Sequence, residues 1–474
     1  MRPGLSIKRW IFVYFLALTL LALGLGLVMT HLYRTAPFPS PVYYLTLQFV
    51  PRLLRGGIFL ALGGGLMSWA TLRIISSFVG LLAPHYRGRL GDALYSQRVL
   101  GRGPKVVAIG GGTGLSSLLR GLKEYTSNIT AVVTVCDDGG SSGRLRRDLR
   151  VLPPGDFRQC IAALADSDPL VTKLFEHRFQ TEGSDLKGHA FGNLFIAAMA
   201  QITGSFERAL EESSRVLAVR GRILPSTLED VVLCAELADR STVQGESLIP
   251  ERAGGGRGAH GQPGQRDECA DQENPSPANP IRRVFLEPER PAVYPEVVRC
   301  LLDADLVVIG PGSLFTSILP NLLVDDLARA LCWSRAEKVY VCNVATQPGE
   351  TDRYDVLDHV RAIYQHLQVR LGLPIGQRDP LDVATIPFTH VLVNSNLDPH
   401  VPSEWGVTRP SPDYDALAEM GVEVIEADVV DADRPTRHDP LKLANALVEA
   451  LTPPRTSARY APLAAAKALA TALF

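Results

Sequence analysis

Five short runs of apolar and β-branched residues do most to limit the fold of this 474-residue chain. None of them alternates between apolar and polar positions, so each is predicted to be a strand buried on both faces, as in a parallel sheet. Helical patterns lie between the runs, and this order is typical of an α/β protein with a Rossmann-like, mainly parallel wound sheet. The five runs are KVVAIG (105–110), ITAVVTVCD (129–137), DLVVIG (305–310), KVYVCNV (338–344) and THVLVNS (389–395).

Two longer apolar segments precede this region and have the length of membrane spans. The first comprises the 21 uncharged residues that follow Arg9, and at about 1.5 Å per residue it matches the ~30 Å hydrocarbon layer. The second begins with the 17 uncharged residues that follow Arg55. We therefore expect two transmembrane helices, at about 10–30 and 56–83. A signal peptide is the competing interpretation of the first segment, but that run is longer than the roughly 7–15 residues of an h-region.

Basic residues flank the two spans in a pattern that predicts both termini inside. Lys and Arg are more frequent before the first span and after the second than in the connecting loop. We expect a multi-pass protein of the cytoplasmic membrane, with the N-terminal hairpin in the lipid bilayer and the C-terminal domain in the cytoplasm. The seven Cys residues are scattered without a CxxC pair, which agrees with a reducing compartment.

Composition shifts along the chain predict three parts. We assign 1–103 to the membrane anchor and its linker, 104–452 to the α/β domain and 453–474 to a C-terminal tail. Residues 253–280 are rich in Gly, Pro and polar side chains and are predicted to be a disordered insertion. The 48 Lys and Arg nearly balance the 50 Asp and Glu, which argues against a nucleic-acid partner.

The first predicted strand of the domain leads directly into a glycine-rich turn and a helix. Glycines permit positive φ angles and close approach of a ligand, and the N–H groups at a helix start attract anions. We expect a phosphate-bearing ligand here, although the spacing matches neither GxGxxG nor a P-loop. A tight turn without a ligand is the alternative. The turn consists of Gly110, Gly111, Gly112, Thr113 and Gly114.

The second predicted strand ends in two carboxylates and a Gly/Ser turn. Because the carboxyl ends of parallel strands line the ligand crevice, Asp137 and Asp138 could coordinate Mg²⁺ or bind a ribose. The backbone N–H groups of Gly139, Gly140 and Ser141 could hold phosphate. The two aspartates are also the candidate catalytic residues, and a plain turn is the alternative.

Three polar residues further along could belong to the same crevice. Asp156 follows a Pro-Pro-Gly sequence, where a helix cap and a ligand contact are equally compatible with the pattern. His189 and Asn193 stand beside glycines just before a predicted helix. A structural role for the histidine is the alternative to a place in the pocket.

The third and fourth strand ends complete the candidate crevice. Gly312 and Ser313 form a second glycine turn that enters a helix, and Asn343 ends the next strand. A second anion-binding helix start in the same sheet indicates a diphosphate or two phosphorylated ligands.

Eight segments of the chain, taken in order, resemble the YvcK-type gluconeogenesis-factor family. This family is similar to the CofD-type 2-phospho-L-lactate transferases. The resemblance covers about 104–452 and implies a Rossmann-like fold. It also implies binding of UDP-N-acetylglucosamine or a related UDP-sugar, and a role in cell shape, peptidoglycan and envelope synthesis, and gluconeogenic growth. The segments are IGGGTGLSSLLRGLK, VTVCDDGGSSGRLR, LPPGDFRQC, GHAFGNL, RVLAVRGRILPSTLEDV, VIGPGSLFTSILPNLL, VCNVATQPGETD and RHDP.

The resemblance also implies roles for particular residues. Arg437 matches the arginine of the RHD motif and would contact the sugar nucleotide, and Trp405 is the candidate for stacking on uracil. Related chains carry a phosphorylatable Thr after RHD, where this chain has Pro440. The other residues of the implied nucleotide-sugar site are Gly110 to Gly114, Asp137, Asp138, Asn193, Gly312 and Ser313.

Two functions follow from the residues and the resemblance together. The first is a membrane-tethered cytoplasmic regulator that binds a UDP-sugar, with envelope-synthesis proteins as possible partners and a homo-oligomeric state. The second is an Mg²⁺-dependent transferase that moves a phosphorylated three-carbon acid. No clear acceptor-binding motif or general base is found in the sequence, which favours the regulator.

Overall fold

The computed structural model describes residues 15–16, 18–20, 22–26, 30–31, 41, 44, 47, 49–82, 100–167, 169–181, 183–253, 279–371, 387–398 and 400–450. The chain divides into two compact units, Met1–Val99 and Leu100–Phe474. The predicted tail at 453–474 and nearly all of the predicted insertion at 253–280 lie outside the described residues, as does part of the predicted span at 10–30.

One long helix lies in the N-terminal unit. Helix α1, Arg52–Leu82, has 31 residues, and its segment Leu53–Arg73 is long and apolar enough to cross a membrane. Large apolar side chains of this segment are exposed, including Leu53 and Leu60. The helix coincides with the predicted span at 56–83, and it is the one candidate span among the described residues. The two-span, multi-pass arrangement therefore stays a prediction.

The described part of the second unit contains ten strands, including all five that the sequence predicts. Every residue of the first two is buried, because these apolar runs pack against helices on both faces of the sheet. The strands are β1 (Val106–Gly110), β2 (Ile129–Val133), β3 (Arg222–Pro225), β4 (Val232–Leu237), β5 (Thr242–Gln244), β6 (Ile281–Glu287), β7 (Leu306–Ile309), β8 (Glu337–Val341), β9 (His390–Asn394) and β10 (Glu423–Ala427).

Seven parallel strands form the main sheet, in the order β10-β9-β8-β7-β1-β2-β3. The chain therefore builds outward from β1 in one direction and later continues from β7 in the other. In such sheets, ligands bind at the carboxyl ends of the two strands where the order reverses. This confirms the predicted α/β class and places the switch point between the turns that follow β1 and β7.

Three antiparallel strands form a second, smaller sheet in the order β5-β4-β6. The sequence pattern predicts neither this sheet nor β3. In the structure β3, which lies within the quoted segment RVLAVRGRILPSTLEDV, pairs in parallel with β2 from Arg222 to Pro225.

Helices follow most of the strands and cover the sheet. Close packing of the first and last of them in the second unit depends on Gly121, where a Cβ would lie 1.8 Å from the carbonyl oxygen of Pro440. The helices are α2 (Gly112–Leu122), α3 (Gly140–Leu149), α4 (Gly155–Leu164), α5 (Pro169–Glu176), α6 (Phe191–Thr203), α7 (Phe206–Val216), α8 (Leu248–Ala253), α9 (Pro295–Leu302), a π-helix at Leu314–Ile318, α10 (Leu319–Leu322), α11 (Asp325–Trp333), α12 (Val356–Leu371), a 3₁₀ helix at Ser403–Trp405, α13 (Tyr414–Glu419) and α14 (Pro440–Ala450).

A candidate ligand-binding crevice

The turns that follow β1 and β7 touch each other at the switch point. A Cβ at Gly114 would lie 2.5 Å from the carbonyl oxygen of Pro311 and 2.9 Å from Cα of Gly312, so a larger residue would force the turns apart. Gly112 and Gly310 have φ angles of 59° and 82°, which favour glycine. The two predicted glycine turns therefore form one continuous surface.

The carboxyl group of Asp156 lies against the turn after β1. The backbone N–H of Gly112 donates a hydrogen bond to the side chain of Asp156, and a Cβ at Gly111 would lie 2.6 Å from Oδ2 of Asp156. The carbonyl oxygen of Gly110 accepts from Nδ2 of Asn321 at 3.0 Å, while Thr113 is exposed. The phosphate that the sequence predicts at this turn would thus meet a carboxyl group at the start of α2.

The turn after β7 is fixed by Asn343 at the end of β8. Nδ2 of Asn343 donates to the carbonyl oxygen of Gly312 at 2.8 Å, and its Oδ1 accepts from the N–H of Gly312 at 3.3 Å. Nδ2 of Asn343 also donates to Gln347 at 3.2 Å, and Gln347 donates to Oγ of Ser313 at 2.8 Å. The predicted residues of these two strand ends are therefore brought together.

Asp137 and Asp138 follow β2 as predicted, but they have different partners. Oδ1 of Asp137 accepts from the N–H of Gly139 at 3.0 Å. Oδ1 of Asp138 accepts from the N–H of Ser247 at 2.9 Å, and Ser247 lies in the loop after β5. The loop after β5, a strand of the second sheet, thus fixes the side chain of Asp138. Gly140 begins α3 with a φ angle of 44°.

Buried carboxyl groups concentrate around these turns. The pKa of Asp156 is raised to about 7, first by burial and then by the charge of Asp137, against the opposing effect of the Gly112 N–H. Burial also raises the pKa of Glu350 to about 7, although this side chain accepts hydrogen bonds from Thr316 and Phe315.

Two further carboxyl groups belong to the same surroundings. The pKa of Glu246 is raised well above its ordinary value by burial and then by the charges of Asp137, Asp156 and Glu350. Burial is also the main cause that raises the pKa of Asp137 itself. Because the pKa values of Asp156 and Glu350 are about 7, these two groups are partly protonated near neutral pH, and the crevice does not carry the full negative charge of its carboxyl groups.

The carboxyl groups offer the kind of ligand atoms that Mg²⁺ prefers. Oδ2 of Asp138 does not accept the backbone bond described above, whereas the carboxylate of Asp137 also accepts a hydrogen bond from the side chain of Ser142. Within the described part of the chain, however, no group of three or more His, Cys, Asp or Glu side chains is arranged to hold a metal ion. A cation at Asp137 and Asp138 would need further ligands from water or from a bound phosphate.

His189 and Asn193 join Ser141 in a buried network at the starts of α3 and α6. Oγ of Ser141 lies 3.0 Å from Nδ1 of His189 and accepts from Nδ2 of Asn193 at 3.1 Å. Oδ1 of Asn193 accepts from Nε of Arg158 at 3.0 Å. Burial, followed by the charge of Arg144, lowers the pKa of His189, so the imidazole is neutral at pH 7. The structure thus brings the three predicted residues together.

Trp405 and Arg437 lie at exposed positions in the later part of the chain. Trp405 is 39% exposed in its 3₁₀ helix, and Arg437 is also exposed. Among the described residues no side-chain hydrogen bond joins either one to the crevice. The neighbour of Arg437, His438, is buried and lies with Nε2 3.2 Å from the carbonyl oxygen of Cys342, next to Asn343.

Several crevice residues are absent from the sequence prediction. Gln347 and Glu350 lie in the quoted segment VCNVATQPGETD, and Arg158 lies in LPPGDFRQC. These segments carry the family resemblance, but the sequence alone does not assign a role to the three residues. Glu246 belongs to no predicted motif. Its approach to the crevice depends on the second sheet, which the sequence pattern does not reveal.

Comparisons with known proteins agree with this architecture. Residues 106–430 match the family model described as 2-phospho-L-lactate transferase CofD. The gluconeogenesis factor of Bacillus subtilis (strain 168) is 45% identical over 357 residues, which cover 74% of this chain and 99% of the relative. The crystal structure of protein BH3568 from Bacillus halodurans has a TM-score of 0.61 and 38% identity, and the match covers 73% of this chain and 100% of that chain.

The wound sheet, its paired glycine turns and the match over 106–430 define an α/β protein with a CofD domain. Within that class, the chain belongs to the gluconeogenesis factor family. The resemblance stated from the sequence segments is thereby confirmed.

The relatives differ in how much of this chain they match. A relative from Nostoc sp. (strain PCC 7120) is 41% identical over 456 residues, which cover 94% of this chain and 91% of the relative. The unmatched remainder is much shorter than the unit Met1–Val99, so most of that unit has a counterpart in the Nostoc protein. The Bacillus subtilis protein matches over almost its whole length, and the match leaves about a quarter of this chain uncovered.

Proposed function

We propose that this protein binds a UDP-sugar, with UDP-N-acetylglucosamine as the expected ligand, and acts as a membrane-tethered regulator. In this proposal the sugar nucleotide lies across the carboxyl ends of β1 and β7. The protein would report the level of an envelope precursor to proteins of cell-shape and envelope synthesis during gluconeogenic growth.

The contact between Gly114 and Pro311 is the observation that carries this proposal. It joins two glycine turns at the switch point of the sheet, where α/β proteins bind nucleotides. A ligand with a diphosphate between two sugar rings would span such a double turn. The relationship of Asn343 to Gly312 supports the same conclusion, because it fixes one turn before any ligand arrives.

The carboxylates after β2 suit the hydroxyl groups of such a ligand. A carboxylate near the second strand of a wound sheet typically accepts hydrogen bonds from ribose hydroxyls, and Asp137 has the position for this role. If Mg²⁺ binds with the ligand, Asp137 and Asp138 would hold it. The ion would there neutralise charge on the diphosphate.

A transferase is the second candidate, and the protonated carboxyl groups favour it. Asp156 and Glu350 have pKa values of about 7, which is the range in which a general acid or base works well. The matching family model carries the description of 2-phospho-L-lactate transferase. The reaction would move a phosphorylated three-carbon acid.

Titration calorimetry on the purified chain in detergent separates these proposals. We expect saturable heat with UDP-N-acetylglucosamine and much less with GDP-mannose, each measured with and without Mg²⁺. Absence of heat with every UDP-sugar would overturn the regulator proposal. Mass spectrometry after incubation with Mg²⁺ tests for turnover, and a changed nucleotide would favour the transferase.

Variants test the two exposed residues that the resemblance assigns to the site. Arg437→Ala and Trp405→Ala should each weaken UDP-sugar binding if they close over the bound nucleotide. Arg434→Ala is the matched control, because Arg434 is an exposed arginine in the same loop. Unchanged binding in Arg437→Ala and Trp405→Ala would remove both residues from the proposed site.

A further inference from the structure

Arg158 is a cation at the edge of the crevice. It lies on α4, and its Nε donates to Oδ1 of Asn193 at 3.0 Å. Among the described residues it forms no ion pair; burial and then the charge of Arg178 lower its pKa, and the charges of Glu176 and Asp156 oppose this. A largely buried guanidinium normally has a charged partner. Its remaining N–H groups are therefore available to an anion.

The start of α6 is shaped to admit this arginine. A Cβ at Gly192 would lie 2.8 Å from Cγ of Arg158 and 2.6 Å from the carbonyl oxygen of Phe175. Glycine at this position lets the arginine stem pass directly beneath the helix start. The guanidinium thus reaches Asn193 in the first turn of α6.

The hydrogen bonds around Asn193 fix the orientation of three buried side chains. Because Oδ1 of Asn193 accepts from Arg158, the Nδ2 group is the one that donates to Ser141. The hydroxyl of Ser141 is then left to donate to Nδ1 of His189, 3.0 Å away. A neutral imidazole that accepts at Nδ1 carries its proton at Nε2.

The Nε2–H group of His189 is a donor without a partner. The residue is 7% exposed, and no hydrogen bond to its Nε2 occurs among the described residues. Nε2 is not among the fully buried side-chain atoms that lack a partner, so solvent or a ligand can reach it. This group and the guanidinium of Arg158 belong to the same network, and both can donate to an anion.

Two helices of sufficient length begin at this network. Helices α3 and α6 have 10 and 13 residues, and the residues that precede them, Gly139 and Ala190, provide no side-chain cap. The N–H groups and the dipole of each helix start favour a negative charge. At the start of α2, in contrast, the carboxyl group of Asp156 already takes this place.

We propose that the junction of α3 and α6 is the anion subsite of the crevice, where Arg158 and Nε2–H of His189 bind a phosphoryl group of the ligand. The proposal rests on the proposed nucleotide-sugar function and names the part of the site that takes the negative charge. Of the turns at which the sequence pattern predicts phosphate, it selects the one after β2 and not the one after β1.

Binding of inorganic pyrophosphate to the full chain in detergent tests the subsite independently of the nucleotide. We expect Arg158→Gln to weaken pyrophosphate binding by about ten- to a hundredfold, as for a lost charge-assisted hydrogen bond. Arg158→Lys should recover part of the affinity because it restores the charge. Arg208→Gln is the matched control, since Arg208 is an exposed arginine on α7, and it should bind as the wild type does.

The outcomes distinguish this proposal from the proposed function. If Arg158→Gln binds pyrophosphate and UDP-N-acetylglucosamine as tightly as the wild type, the subsite is wrong and the function can still hold. If the wild type binds pyrophosphate through Arg158 but binds no UDP-sugar, the subsite holds and the proposed function fails. Wild type that does not bind pyrophosphate or any sugar nucleotide would overturn both.

A spectroscopic measurement on the wild type keeps the proposal testable if Arg158→Gln does not fold. Nitrogen-15 NMR of the histidine side chains should show His189 as the Nε2–H tautomer in the free protein. Addition of pyrophosphate should shift that Nε2 resonance. The Nδ1–H tautomer, or an Nε2 resonance that does not move at saturation, would contradict the proposal.

Discussion

The side chain of Asn343 and the backbone of Gly312 form a reciprocal pair of hydrogen bonds, of 2.8 Å from Nδ2 to the carbonyl oxygen and 3.3 Å from the N–H to Oδ1. One amide group thereby satisfies both backbone groups of a turn residue. These bonds hold the turn after β7 at the end of β8. A preformed turn lowers the ordering cost of binding.

Asn343→Ala should therefore affect both stability and ligand binding. Loss of the two bonds to Gly312 is expected to lower the free energy of unfolding by about 1–2 kcal/mol and to weaken UDP-sugar binding, which denaturant unfolding and calorimetry measure. Asn445→Ala is the control, because Asn445 is exposed and accepts a bond from Tyr125 on the surface. Equal effects of the two substitutions would contradict the role given to Asn343.

Gly114→Ala tests the contact between the two glycine turns. The added Cβ would overlap the carbonyl oxygen of Pro311, 2.5 Å away, so the start of α2 must shift, with an expected loss of about 1–3 kcal/mol. Gly139→Ala provides the comparison, since its Cβ would meet its nearest neighbour, Oδ1 of Asp137, at 3.5 Å. Thermal unfolding should show a large effect for the first variant and a small one for the second. A Gly114→Ala variant as stable as wild type would mean that the turns can separate freely.

Glu350→Gln should change stability in a pH-dependent way. The pKa of Glu350 is about 7 in the folded chain, raised from 4.5 by burial, so the folded state binds more protons than the unfolded state between these values. Stability of the wild type therefore falls as pH rises through this window. The amide variant avoids this loss, which has a limit of about 3 kcal/mol.

Urea unfolding at pH 5 and pH 8 measures the effect of Glu350→Gln. We expect similar stability of wild type and variant at pH 5 and a more stable variant at pH 8. A variant that loses the same stability at both pH values would show that the hydrogen bonds from Thr316 and Phe315 matter more than the buried charge.

The long apolar helix α1 leads us to expect membrane attachment. A chain that contains α1 should sediment with membranes and stay there after an alkaline carbonate wash, whereas a chain that begins at Leu100 should not sediment. The body is expected to fold without the first unit, because the Bacillus subtilis relative matches over 99% of its length while covering 74% of this chain. Release of the full chain by carbonate would contradict the tether.

The parts of the fold that the sequence predicts are those whose signal is local. β1, β2, β7, β8 and β9 are uninterrupted apolar runs followed by turns, and the structure contains all five. β3 is four residues long and ends at Pro225. β10, Glu423–Ala427, has no fully buried residue. Neither β3 nor β10 has the apolar run that identifies a buried strand, so neither is predicted from the sequence.

The same distinction applies to the crevice. The glycine turns are visible in the sequence because a turn that approaches another backbone requires glycine within a few residues of a strand end. The contact of Ser247 with Asp138 joins residues that are 109 positions apart. It depends on how the second sheet packs. The pairing of Arg158 with Asn193 also depends on the packing of α4 against α6.

A crystal structure of the chain from Leu100 onward with UDP-N-acetylglucosamine tests the central claim most directly. We predict that the sugar nucleotide lies at the carboxyl ends of β1, β2 and β7, with a ribose hydroxyl within hydrogen-bond distance of Asp137 and a phosphoryl oxygen within that distance of Arg158. A fully occupied sugar nucleotide bound away from both turns would contradict the account.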